Sequence, residues 1–133
     1  MAVQLSTTVR NARLDAIETA VGVSAVLKIR TGAQPANVAA ADSGTVLATV
    51  NLPSDWMAAA SGGSKALSGS WTDASADATG TAAHFRVYAS DGTTAHIQGS
   101  VGTSGTDMVV DSTSFTAGQA FTVNSFTLTD GNA

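Results

Sequence analysis

The spacing of apolar residues changes once in this chain, at Gly22, and that change constrains the fold more than any other feature. Before it, Val9, Ala12, Ala16, Ile17, Ala20 and Val21 recur at steps of three and four, which places them along one side of a helix. Ser6 or Thr7 can accept the first free backbone N–H bonds, and Gly22 can take the left-handed conformation that ends a helix. After Gly22 the period is two. Leu27 and Ile29 alternate with Lys28 and Arg30, and Val46, Ala48, Val50 and Leu52 alternate with Leu47, Thr49 and Asn51. The expected fold is mainly β: an N-terminal helical arm over 1–22, then a β-sandwich or jelly-roll-like domain over 23–133. The helix either packs on its own sheet or docks on a neighbouring subunit.

The later strands are less regular. Phe85, Val87 and Ala89 share one face, as do Ala95, Ile97, Gly99 and Val101. A two-residue Asp91-Gly92 turn would set Val87 opposite His96 and mix apolar with polar faces, because a slip of one residue reverses the facing. A three-residue loop over 90–92 sets Val87 opposite Ala95 and Phe85 opposite Ile97, with Gly92 supplying the left-handed residue, and is the form expected. Strands are also expected over 108–110 and 120–128. In the latter Phe121 and Val123 have one parity, Phe126 and Leu128 the other, so a bulge near Asn124 and Ser125 is needed to bury all four. Within the Ala-, Ser- and Gly-rich residues 54–83, Leu67, Gly69 and Trp71 share a parity that suits a short strand. Residues 31–44, with Pro35, are long enough to be a contact loop.

Composition narrows the function. More than half of the 133 residues are Ala, Thr, Ser or Gly, and charged residues are only 12%. Soluble domains usually carry about 25%, so a surface covered by neighbouring subunits is expected, and with it a homo-oligomer. Net charge is −4, and after Arg30 the only cations are Lys65 and Arg86. That leaves no basic stripe for phosphates, and no nucleic-acid partner is expected. No apolar run of about 18 residues and no signal-like start is present, so no membrane partner is expected and synthesis is expected in the cytoplasm.

Catalytic constellations are scarce, and no enzyme, cofactor or metal is expected. Cysteine is absent, removing thiolate chemistry. His84 and His96 fall on one hairpin face with Arg86 and Tyr88, where Asp107 or Asp111 would be needed as a third metal ligand. A polar outer face used for subunit contacts is the better expectation. Asp73, Asp77 and Asp91 match no calcium loop and read as turn caps. Trp56 and Trp71 are core or rim residues; exposed, they would make a sugar-stacking platform. The contact candidates are Val9, Arg10, Arg13 and Ile17 on the helix, Pro35 in the loop, and His84, Arg86, Tyr88 and His96 on the hairpin.

The segments MAVQLSTTVRNARLDAIETAVG, TGTAAHFRVYASDGTTAHIQGSVG and FTAGQAFTVNSFTLTDG resemble small structural proteins of tailed bacteriophages and prophages, across most of the chain. The resemblance implies a virion component, with a capsid decoration or cement protein bound to the major capsid protein or other virion subunits as the favoured placement. The alternative is a tail, fibre or connector component, including a carbohydrate-binding module using Trp56, Trp71 or Tyr88.

Overall fold

A computed structural model describes residues 3–131. The helix α1 spans Thr7–Val21. Its start is fixed by Ser6, whose hydroxyl accepts from Val9 N at 3.2 Å, and its end by Gly22 at φ 94°, whose N–H donates to Glu18 O. The expected caps hold. The expected facing does not: Leu14 and Val21 are buried, with Ile17 half-buried, while Val9, Ala12, Ala16 and Ala20 face solvent. Alanine offers little area to bury, so the one leucine decides which side turns inward.

Ten strands follow: β1 (Val26–Arg30), β2 (Val46–Asn51), β3 (Ser64–Ala66), β4 (Thr72–Asp73), β5 (Gly80–Thr81), β6 (His84–Tyr88), β7 (Ala95–Gly102), β8 (Met108–Val110), β9 (Ser114–Phe115) and β10 (Phe121–Thr129). Eight of them form one curled sheet in the order β2-β1-β6-β7-β8-β10-β3, with β4 also on β10, and β5 pairs with β9 separately. The fold is therefore an N-terminal helix followed by a β-sandwich-like domain. All pairings are antiparallel except β7 with β8. The curl brings the β2 edge to the segment after β4: Asp77 N donates to Leu47 O at 2.7 Å and Thr49 N to Asp73 Oδ2 at 3.1 Å. These bonds seal an edge that would otherwise offer an open ladder.

The interior is aromatic where the rest of the chain is small. Trp56, Trp71, Phe126 and Phe85 touch in succession, with ring centroids 6.0, 5.7 and 5.3 Å apart, and Phe115 meets Phe121 at 5.0 Å. Such pairs contribute about 0.5–1.5 kcal/mol each beyond area burial. The expected bulge in the last strand is present: Val123 pairs with Val110 but Ser125 with Val109, leaving Asn124 extra, so that Phe121, Val123 and Phe126 are all buried.

Two strand expectations need correction. Trp71 lies between β3 and β4 rather than in a strand, held by Nε1–H bonds to the carbonyls of Trp56 and Ser68. In the hairpin, Val87 pairs with Ile97 and Phe85 with Gly99, two residues further on than expected. Ala89 N donates to Thr94 O, so the loop has four residues, and the bulge falls at His96. Asp91 explains the wider loop, since its carboxylate accepts from Thr93 N, Thr94 N and the Thr94 hydroxyl. These bonds hold its pKa well below the usual carboxylate range. The parity of the faces survives because the shift is even.

Candidate functional site

The residues expected to form an outer polar face lie instead beneath a loop. His84, Arg86 and Tyr88 are buried, together with Arg30, and only His96 of that set is exposed. Residues 31–45 fold back over this side of β1, β6 and β7. The loop base is tied by Thr31 N to Thr45 O at 3.1 Å and by Thr45 N to Thr31 Oγ1 at 2.9 Å. Gly44 is required there: at φ 72° a Cβ would stand 1.8 Å from Thr31 O.

Asp42 is the loop's anchor. Its Oδ1 accepts from Arg86 Nη1 at 2.8 Å and from the Tyr88 hydroxyl at 2.7 Å, and its Oδ2 from Arg30 Nη2 at 3.1 Å. Arg86 also donates to Asn37 O and Gln98 Oε1, Gln98 Nε2 to Pro35 O, and Arg30 Nε to the Tyr88 oxygen. Burial works to raise the Asp42 pKa, but the Tyr88 and Arg86 hydrogen bonds and the two guanidinium charges outweigh it and hold it low. Burial raises the Tyr88 pKa, and the bond to Asp42 adds to this. His84 donates from Nδ1 to Gly32 O at 2.9 Å, its buried Nε2 has no partner, and burial pushes its pKa down. Lys28 closes the far end, donating to Gly92 O and lying 5.0 Å over the Tyr88 ring.

The helix is held by a second polar latch. Lys65, 2% exposed in its side chain, meets Asp15 at 2.7 Å and Glu18 at 3.0 Å. Asp15 also accepts from Ala60 N, Glu18 from Met57 N and Asn11 from Gly63 N, so the helix's acidic side caps the open backbone of residues 57–63. Hydrogen bonding to Lys65 and Ala60 lowers the Asp15 pKa, whereas Glu18, by hydrogen bond and charge, raises that of Asp55. Burial opposes the Lys65 charge, yet its two carboxylates raise its pKa. Arg13 pairs with Asp130 at 3.1 Å, and Arg10 bonds Thr7 and lies against Gly63, where any Cβ would strike its guanidinium. The helix α1 therefore rests on the β domain of its own chain.

Of the contact candidates, then, Pro35, His84, Arg86 and Tyr88 belong to the loop latch, Arg10, Arg13 and Ile17 to the helix seat, and Val9 and His96 face outward. Sequence reading missed Asp42, Asp15, Glu18 and Lys65. Their signal was the scarcity of charge itself: in a chain with so few ions, a cation on a strand and an acid on a helix or loop are candidates to pair. The aromatic platform is also corrected. Trp56, Trp71 and Tyr88 are each 0% exposed, and the four phenylalanines are buried too, so no aromatic face is open to a sugar.

Among the described residues the exposed large hydrophobics are Val3 at 76%, Val9 at 44% and Val23 at 68%, all within the first 23 residues. Ala12, Ala16 and Ala20 share the outer side of α1 with Val9, and Arg13, 54% exposed in its side chain, stands beside them. Among the described residues no helix is long and apolar enough to cross a membrane, and no group of three or more His, Asp or Glu is placed to hold a metal ion. No protein-family model matches the chain, and no curated protein or solved structure shows significant similarity to it.

Proposed function

We propose that this chain is a non-enzymatic structural subunit of a tailed-bacteriophage virion, a decoration or cement protein that binds the capsid shell and its own copies by protein contacts. The observation that carries the reading is that, among the described residues, the exposed large apolar side chains are Val3, Val9 and Val23, on α1 and in the residues just before and after it. Burying one such side chain contributes about 1.5–3 kcal/mol, which makes this end of the molecule the part with most to gain from a partner. The polar groups support the same reading, since the buried cations are already engaged by the chain's own loop and helix. A jelly-roll-like module clamped in this way suits a stiff block that tiles a larger surface.

Quantitative mass spectrometry of purified virions, with immunogold labelling of intact particles, tests the reading. Hundreds of copies over the head are expected. A few copies at one vertex or along the tail would move the assignment to a connector or fibre component, and absence from particles would remove it.

A further inference from the structure

Among the side chains beneath the 31–45 loop, His84 is the one whose ordinary titration falls near neutral pH. It lies buried on β6. Its cross-strand partners are Arg30 on β1 and Ser100 on β7, and side chains two apart on one strand share a face, so Arg86 and then Tyr88 stand beside it along β6. Lys28, opposite Arg86 on β1, lies further off over the Tyr88 ring. Ser100 is uncharged and engages Asp107 through its N–H and hydroxyl, and Val46 of β2, opposite Arg30, is apolar. From above, the loop contributes the Gly32 carbonyl and the Asp42 carboxylate.

This surrounding suits a neutral ring. A carbonyl only accepts, so Nδ1 carries the proton that meets Gly32 O, and Nε2 keeps a lone pair. Nε2 is buried and meets no group. A second proton would create an N–H there without an acceptor among the described residues, and a positive charge beside Arg30 and Arg86, which already share Asp42. The Nδ1 bond survives protonation, so the penalty comes from Nε2 and from the guanidiniums rather than from a lost bond.

Relief requires water, and the loop is the part that can admit it. β1, β6 and β7 are held to one another by ladders. The loop contains no strand and is fastened at its base by Thr31 and Thr45 and along its length by side-chain bonds to Asp42, Asn37 O and Pro35 O. We propose that residues 31–45 form an acid-opened lid, which lifts when His84 takes up a proton and uncovers the sheet face carrying Arg30, Arg86 and Tyr88. With the lid lifted the ring meets water and regains an ordinary His value, above the closed one that burial and the two guanidiniums depress. The closed lid is therefore fully favoured above about pH 6.5 and loses ground as pH falls toward the closed value, the opening equilibrium gaining up to about tenfold per pH unit. None of this depends on the virion placement.

Amide hydrogen exchange of the full chain, read by NMR as protection factors between about pH 7.5 and 5, tests the lid above the range in which Asp42 is protonated. The bonded amides of Thr31, Ala40 and Thr45 are expected to lose protection below pH 6.5, by up to about tenfold per unit, while those of β6 and of Ala60 and Gly63 in the helix seat keep theirs. The His84 imidazole signals should show the Nδ1–H form at the upper end and titrate over the same range in which the loop amides lose protection. His84→Gln, whose side-chain amide can donate but takes no charge, should keep the lid closed throughout. Loop protection that does not change with pH overturns the proposal, as does a loss shared equally by β6 and the helix seat, which is unfolding of the whole domain. So does a loss that persists in the folded variant. If the variant does not fold, the imidazole decides alone, and a His84 titration outside the range of the loop amides overturns the proposal.

Discussion

Two segments lie on the outside of this sheet, the loop over 31–45 and the helix α1, and each is latched through a buried cation. The loop latch sets two guanidiniums, Arg30 and Arg86, and the Tyr88 hydroxyl on a single carboxylate, Asp42. The helix latch sets one ammonium, Lys65, between two carboxylates, and adds the apolar contacts of Leu14 and Val21. The first concentrates its dependence on one residue, whereas the second spreads it over several. Removing one partner of a buried pair costs far more than the pair contributes, because the other charge is left behind. The loop latch should therefore be the brittle one.

The largest expected effect is from Asp42→Ala. It strands two cations that are 8% and 2% exposed in their side chains. A loss of about 3 kcal/mol in urea unfolding is expected, the low end for a broken buried pair because Asp42 itself is 39% exposed and screened. A loss smaller than that from any single helix-latch carboxylate would break the comparison. Lys65→Ala comes next, at about 2 kcal/mol, since it removes the one buried cation facing Asp15 and Glu18. Hydrogen exchange should then show faster opening over residues 57–63 while the 31–45 loop stays protected.

The third expectation concerns acid. His84 has a folded pKa below its ordinary 6.5, so the unfolded chain takes the proton first and stability falls as pH drops through that value. Asp42, which faces it together with Arg30 and Arg86, adds a second decline below about 3.8, where the lowered carboxylate begins to be protonated in the unfolded chain. His84→Gln should abolish the first decline and leave the second, as read by thermal melts between about pH 2.5 and 8, which span the ordinary carboxylate and His ranges. A first decline that persists in the variant would place the titration elsewhere. Asp15→Asn should have the smallest effect, because Glu18 still meets Lys65. Equal losses from Asp15→Asn and Asp42→Ala would erase the distinction between the latches.

Sequence reading succeeded where the signal was local. Ser6 and Gly22 mark the helix because capping needs only neighbouring backbone, and the switch of parity between Val123 and Phe126 demands a bulge whatever lies opposite. It failed where distant chain decides. His84, Arg86 and Tyr88 read as an outer face because charged residues are seldom buried without partners, and their partner Asp42 lies 44 residues before Arg86 in sequence. Of the helix side expected to pack, Ile17 and Val21 do turn inward but the alanines do not, because a hydropathy pattern weighs three alanines above one leucine. The hairpin loop was taken one residue short because Asp91 bonds to Thr93 and Thr94 extend it. Residues 54–83 stayed illegible because their structure is imposed by Trp56 and Trp71 packing into a core built by other segments.

The order of the large sheet has a consequence for how fast it forms. β1 pairs with β6 and β10 with β3, so strands far apart in the chain must meet before the sheet is complete. Domains dominated by such distant pairings fold on a scale of roughly milliseconds to seconds.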